Sequence, residues 1–149
     1  MLSTVSRNTA GIAAAVLMTA TSLIAAASHA SAAPSQVDRT CGPGPRGNAC
    51  AALFYDSATG RFTARGAVDP NTGHVISLQE VWLTWCYGSE CRIASYAEDT
   101  PTASSGAYTV RWTPSVAGSR CYVWRAEIVY LVDRRDTYTL QTNGYGGIC

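Results

Sequence analysis

Few side chains in this sequence are suited to acid–base catalysis. The chain has two histidines, His29 and His74, and only His74 lies beyond the apolar N-terminal segment. A hydrolase could use His74 together with Glu80, but no nucleophile motif accompanies them. Other acids such as Asp133 and Asp136 stand in turn-like contexts, where solvated carboxylates are usual. We therefore predict no catalytic residue and keep a small secreted hydrolase as an alternative.

Aromatic and arginine side chains point instead to binding. The chain has four Trp and eight Tyr, and all of its basic residues are arginines. These residue types are enriched at the hot spots of protein interfaces. Trp82 and Trp85 fall on opposite faces of one predicted strand, so one of them either contacts a partner or is half-covered by a loop or disulfide. We predict Trp82, Trp124 and Arg125 as partner-binding residues.

The cysteines indicate a disulfide framework. All six lie after residue 40, and an even number in an exported chain favours disulfides over free thiols. Spacing alone leaves about fifteen pairings open, but loop geometry favours Cys41–Cys50, Cys86–Cys91 and Cys121–Cys149. No C-x-x-C spacing is present, so neither a metal site nor a cofactor is predicted.

The elements that position these residues are predicted to be β-strands. Apolar and polar residues alternate with period two over 81–87 and 122–132, and shorter strands are predicted at 51–55, 61–68, 93–96, 108–112 and 138–140. About seven short strands in one small domain indicate an all-β, disulfide-stapled β-sandwich. The Cys-Trp-Cys spacing of antibody domains is absent, so an immunoglobulin-like arrangement stays only one alternative within that class.

The N-terminus has the pattern of a secretory signal peptide. Arg7 precedes an uncharged apolar stretch, and Ala30-Ser31-Ala32 provides small residues for cleavage. We predict a signal peptide at 1–32, an extended N-terminal arm or disordered terminus at 33–40, and a disulfide-bonded β-domain at 41–149. Beyond residue 32, ten arginines balance ten acids. Such a neutral domain favours neither nucleic acid nor, after signal cleavage, a membrane as partner.

Two binding functions remain open. One is a non-enzymatic protein-binding subunit of an extracellular complex whose partners are other secreted proteins. The other is an inhibitor of a secreted protease or amylase, which would present a rigid loop such as 87–90 between Cys86 and Cys91. Tendamistat-like amylase inhibitors use a Trp-Arg-Tyr turn. This chain departs from that pattern, because Trp124-Arg125 is followed by Ala126 and lies inside a predicted strand.

A family resemblance favours the first function. A signal peptide, a short arm ahead of Cys41 and one disulfide-rich β-domain reaching Cys149 resemble the layout of the small secreted adaptor subunits of bacterial umbrella toxin particles. In that family the adaptor links a large toxin polypeptide to lectin-like subunits, and its N-terminal segment inserts into the lectin-like partner. The resemblance implies an antibacterial toxin complex, with these inserting residues: Gln36, Val37, Asp38 and Arg39.

Overall fold

The computed structural model describes residues 33–44, 47–71, 73–98, 102–104, 113–147 and 149. The predicted signal peptide at 1–32 and the predicted strand at 108–112 lie outside these residues. Every helix or strand assigned within them is a strand. In chain order they are β1 (Ser35–Gly44), β2 (Gly47–Asp56), β3 (Arg61–Pro70), β4 (Ile76–Tyr87), β5 (Glu90–Glu98), β6 (Thr102–Ala103), β7 (Ser115–Ala117), β8 (Val123–Val132), β9 (Asp136–Gln141) and β10 (Tyr145–Gly146).

The strands form two antiparallel sheets. The first sheet has the order β1-β2-β3-β7, and the second has the order β10-β8-β4-β5, with β9 also paired to β8 and β6 to β4. β4 and β5 form a hairpin whose turn contains Gly88 at a φ of 60°, a conformation that suits glycine. The predicted all-β sandwich is confirmed, with ten strands in the described part of the chain.

The core lies between the two sheets because alternate side chains of both turn toward it. Along β3 every second residue is buried, and β8 alternates in the same way from Val123 to Ile128. Removing these apolar side chains from water is the main favourable contribution to folding. The largest fully buried side chains are Phe62, Leu53, Ile76, Leu78, Leu83, Ile128, Val68 and Val81.

Gly66 of β3 marks a place where the sheets come very close together. A Cβ atom added there would lie 2.8 Å from Leu78 Cδ2 and 2.9 Å from Ile128 Cγ2 and Val81 Cγ2, all in the second sheet. Non-bonded carbon atoms prefer separations of roughly 3.5–4.0 Å. Packing between the sheets, not backbone conformation, therefore requires glycine at this position.

Three disulfides join strands to their neighbours. Cys41–Cys50 links directly opposite residues of β1 and β2, and Cys86–Cys91 links opposite residues of β4 and β5. The third disulfide joins Cys149 to Cys121, in the segment before β8. No cysteine is left free, and these are the three pairs that loop geometry favoured in the sequence.

The N-terminal part of the domain is more regular than its sequence suggests. The segment 33–40, predicted as an arm, is paired with β2 from Ser35 onward. The stretch between Cys41 and Cys50 is rich in glycine and proline, which is typical of irregular structure, yet its described residues continue β1 and β2. Pro43 is tolerated because β1 is the last strand of its sheet among the described elements.

We expect Gly66→Ala to destabilise the fold by about 1–3 kcal/mol, because the added methyl group overlaps side chains of the facing sheet. Urea unfolding of the oxidised protein, followed by tryptophan fluorescence, measures the change. Gly42→Ala is the matched control, since its Cβ would meet its nearest neighbours at 3.7 Å, an ordinary contact. Equal unfolding midpoints for the two variants would contradict this account of the sheet contact.

Candidate functional site

The outward face of the second sheet carries a group of aromatic, apolar and acidic side chains. On β4, Val81 and Leu83 are buried in the core, so Trp82 between them points outward. The register places Trp82 directly opposite Tyr96 of β5 on one side and Glu127 of β8 on the other. Directly opposite side chains in a sheet are roughly 5 Å apart at Cβ, so these three residues are neighbours.

We call five residues on this face the Trp82 surface: Glu80, Trp82, Ile93, Tyr96 and Glu98. They line a shallow depression of about 170 Å³. Tyr96 is 59% exposed and Ile93 is 53% exposed, although the sandwich has an apolar core on the other face of the same sheet. Large apolar side chains grouped on an outward face are typical of a site that a partner covers.

The Trp82 surface contains one carboxylate from each of its two strands. Glu80 and Glu98 are directly opposite each other in the β4–β5 register. Within the described ranges neither has an ion-pair partner. Like charges at directly opposite positions destabilise a sheet. A cationic group on a partner would relieve that repulsion, so the surface combines aromatic contact area with a preference for positive charge.

Glu127 and Arg125 lie on the same outward face, next to the Trp82 surface. Burial raises the pKa of the Glu127 carboxyl above its usual range, and Gln141 Nε2 donates a hydrogen bond to Glu127 Oε2 at 3.3 Å. Arg125, predicted from the sequence as partner-binding, is opposite Thr84 of β4. It is partly buried, and its Nε has no hydrogen-bond partner among the described residues. Arg125 is not among the residues that line the depression.

The prediction that Trp124 contacts a partner is wrong. Trp124 is only 3% exposed, and its ring stacks on Phe62 with centroids 4.6 Å apart. Its Nε1 donates a hydrogen bond to the Ser119 carbonyl at 2.6 Å, which satisfies the indole inside the protein. The alternation along β8 places Trp124 on the core face together with Ala126 and Ile128. The same period-two pattern in the sequence carried this information.

The four residues predicted to insert into a partner lie on two faces of β1. Gln36 and Arg39 are exposed on the outer face of the first sheet, where they line an open groove. Val37 packs against the core. Asp38 accepts hydrogen bonds from the backbone N–H of Gly144 at 2.6 Å and of Arg39 at 2.7 Å. Val37 and Asp38 are therefore engaged within the domain, and Gln36 and Arg39 remain accessible to a partner.

Several residues of the candidate site were not predicted. Ile93 and Tyr96 were placed in a strand, but the sequence does not reveal that β5 pairs with β4 so that Tyr96 lies beside Trp82. The signal available in the sequence was that the large apolar residues Ile93 and Tyr96 stand beside polar residues. On the first sheet, Phe54 and Arg65 join Arg39 only because three strands come into register.

His74 forms a hydrogen-bonded pair with an acid, but the pair fastens a turn. His74 Nδ1 and Asp133 Oδ2 are 2.8 Å apart, and Asp133 Oδ1 accepts a hydrogen bond from the Val75 N–H at 3.0 Å. Asp133 adopts a positive φ of 52° in the turn between β8 and β9. These contacts join that turn to the start of β4. Glu80, the other acid considered for catalysis, lines the Trp82 surface.

Two further findings concern the described residues alone. No group of three or more His, Cys, Asp or Glu side chains there is arranged to hold a metal ion. No helix among them is long and apolar enough to cross a membrane.

Glu127 gives a pH-dependence that can be tested. Because the pKa of Glu127 is raised in the folded state, the folded protein binds this proton more tightly than the unfolded chain does. Stability is therefore lost as the pH rises from the pKa of the unfolded chain through the raised pKa of the folded protein. Glu127→Gln cannot ionise, so its stability relative to wild type should increase between about pH 4 and pH 7, by less than about 1 kcal/mol. Urea unfolding across this range provides the measurement.

Asp56 provides a control of opposite sign. Hydrogen bonds from the Thr59 hydroxyl and the Ala58 N–H lower the pKa of the Asp56 carboxyl. Its contribution to stability is therefore present near neutral pH and lost as the pH falls through the lowered folded pKa. Asp56→Asn should be less stable than wild type near neutral pH, and the difference should shrink on acidification. The same pH trend in both variants would contradict these assignments.

The turn after β8 should depend on Asp133. We expect Asp133→Ala to lower the free energy of unfolding by about 1–3 kcal/mol, because the Val75 N–H loses its acceptor and alanine tolerates a positive φ poorly. Asp133→Asn should cost less, since asparagine accepts a hydrogen bond and adopts this conformation readily. Thermal or urea unfolding distinguishes the two variants, and an equal cost for both would argue against a role in the turn.

Comparisons with protein-family models, with curated proteins and with solved structures return no match for this chain. The assignment of function therefore rests on the chemistry of the surfaces described above.

Proposed function

We propose that this chain is a secreted, non-enzymatic protein-binding module that holds a partner on the Trp82 surface. The observation that carries the proposal is the grouping of Trp82, Ile93 and Tyr96 on an outward sheet face, opposite a core that other residues fill. Tryptophan and tyrosine contribute disproportionately to binding energy when a partner covers them. The partner protein would bury these rings at the centre of the contact.

The charges around the surface specify the partner further. Glu80 and Glu98 lack ion-pair partners within the described residues, and Glu127 lies beside Trp82. A partner that presents an apolar side chain flanked by arginine or lysine matches both the rings and the carboxylates. Charge complementarity of this kind sets specificity and association rate more than affinity.

Within this class we propose an adaptor subunit that links components of an extracellular antibacterial toxin complex. An adaptor needs two contact regions that do not compete. The Trp82 surface lies on the second sheet, whereas Gln36 and Arg39 are exposed on the outer face of the first sheet, across the core. The layout that resembles umbrella toxin adaptors supports the same role. Residues 35–40 belong to β1 and are paired with β2. Their exposed side chains would therefore contact a partner on the surface of the sheet.

Secretion is proposed from two features together. Three disulfides indicate folding in an oxidising compartment. The pattern of residues 1–32 indicates export through a cleaved signal peptide. N-terminal sequencing of the exported protein should find Ala33 as the first residue.

An inhibitor function is the second candidate, and one loop favours it. Tyr87 is 70% exposed at the tip of the β4–β5 hairpin. The Cys86–Cys91 disulfide closes this hairpin, and Gly88 at a φ of 60° allows its tight turn. Protein inhibitors of hydrolases present rigid exposed loops, because a preorganised loop loses little entropy on binding. In this case the enzyme would meet Tyr87 and not the Trp82 surface.

Recovery of partners from the native culture medium separates these functions. The oxidised chain 33–149, carrying an affinity tag, is incubated in the medium, and bound proteins are identified and quantified by mass spectrometry. We expect the double variant Trp82→Thr and Tyr96→Thr to lower recovery of one partner by at least about tenfold, as removal of two hot-spot residues would. Tyr138→Thr is the matched control, since Tyr138 is exposed but lies on β9.

Each outcome decides between the candidates. Loss of a large secreted polypeptide in the double variant, with a lectin-like protein retained, supports an adaptor. A third variant, Tyr87→Thr, tests the hairpin tip. If the chain recovers an inactive hydrolase and only Tyr87→Thr fails to recover it, the chain is an inhibitor and the proposal for the Trp82 surface is overturned. Full recovery in the double variant also overturns it.

A further inference from the structure

The outer face of the first sheet places two arginines on either side of an alanine. The register pairs Arg39 of β1 with Ala52 of β2, and Ala52 with Arg65 of β3. These three residues therefore form one row across three neighbouring strands. The small side chain of Ala52 leaves a depression between two long cationic side chains.

The neighbouring rows complete a groove along β2. On one side Gln36 is opposite Phe54, and on the other Cys41 is opposite Cys50, which is opposite Ala67. The groove has a volume of about 260 Å³ and is lined by Gln36, Arg39, Cys50, Ala52, Phe54, Arg65 and Ala67. Apart from the two guanidinium groups and the Gln36 amide, its lining is apolar.

The two guanidinium groups lie toward opposite ends of this groove. The Arg65 guanidinium carbon is 4.2 Å from the centroid of the Phe54 ring, and Arg39 Nη2 is 3.3 Å from Cys50 Sγ. Phe54 and Cys50 are four residues apart on the outward face of β2, which corresponds to roughly 14 Å along a strand. The groove thus has a positive charge toward each end and an apolar floor at Ala52.

Neither guanidinium is neutralised by a carboxylate among the described residues of the domain. Arg39 and Arg65 are exposed, and in the ranges that the structure describes no carboxylate lies within ion-pair distance of either. Stacking on Phe54 and contact with Cys50 hold the two guanidinium groups against the sheet, which reduces the entropy that the arginines would lose on binding an anion. Arginine in such a site binds carboxylates well because its planar fork can donate two hydrogen bonds.

We propose that this groove, the Arg39–Arg65 groove, binds an extended acidic segment of a partner protein. The matching segment has an aspartate or glutamate, an apolar residue two positions later and a second acid two positions after that. In an extended chain these three side chains share one face, and the outer two are roughly 14 Å apart, which equals the spacing between Cys50 and Phe54. The apolar residue would then lie over Ala52.

This inference rests on the proposed adaptor role in one respect, namely that the acidic segment comes from a partner protein of the complex. Acid recognition by the groove follows from its own arginines and does not depend on the Trp82 surface. The groove selects negative charge, whereas the Trp82 surface selects positive charge, so the two sites would hold different partners.

Nuclear magnetic resonance titration of the oxidised domain with synthetic peptides tests the groove. The probe is acetyl-Ser-Glu-Ser-Leu-Ser-Glu-Ser-amide, and its two controls are the peptide with glutamine in place of both glutamates and an isomer with the two glutamates adjacent. We expect shifts at Ala52 and Ala67, a dissociation constant about tenfold higher for the glutamine peptide, and a smaller increase for the isomer.

Matched variants assign the effect to the groove. Arg39→Gln and Arg65→Gln should each weaken binding about threefold and together about tenfold. Arg61→Gln, which removes a charge elsewhere on β3, should leave the affinity unchanged, as should Trp82→Thr. Equal affinity for the glutamate and glutamine peptides, or for the isomer, would overturn the proposal. The proposal would also be overturned if the double arginine variant kept a native spectrum and bound the peptide as tightly as the wild type. Loss of partner recovery in Trp82→Thr bears only on the Trp82 surface.

Discussion

Phe62 of the first sheet and Trp124 of the second stack with their ring planes 9° apart. This contact between the sheets commits one set of alternating residues on β3 and β8 to the core. The pleat then turns the intervening residues outward, so Arg65 on β3 and Arg125 on β8 face away from the core. The same rule on β4 turns Trp82 outward between two buried neighbours. The outer surfaces of the protein are therefore set by the choice of core residues.

The period-two pattern in the sequence was sufficient to predict an all-β sandwich and most of its long strands. It also contained the correct position of Trp124, whose alternating neighbours Ala126 and Ile128 are fully buried. The sequence could not reveal register, because a shift of one residue moves every side chain of a strand to the other face. Bulges between Leu78 and Glu80 and between Leu83 and Thr84 shift the pairing of β4 in this way. Tyr96 and Arg65 were missed because the sequence does not show which residues lie opposite them, Trp82 and Ala52 respectively. β1 was missed because its polar residues and Pro43 lack the alternation of a half-buried strand.

The zero net charge beyond residue 32 conceals a local separation of charge. Glu80 and Glu98 border an aromatic surface on the second sheet, and Arg39 and Arg65 flank an apolar floor on the first sheet. Composition averages these groups, whereas the fold sorts them onto opposite outer faces. A neutral chain can therefore present two faces of opposite electrostatic preference, and each face remains accessible while the other is occupied.

The disulfides connect residues that strand pairing already brings together. Two of them span only nine and five positions of sequence and join directly opposite residues of adjacent strands. Closing a short loop costs less chain entropy than closing a long one, so formation of these two bonds is favoured over most competing pairings. The third then joins the two remaining cysteines without a rival. A framework built mainly from hairpin neighbours therefore favours oxidation in the order of the hairpins, with little reshuffling of wrong disulfides.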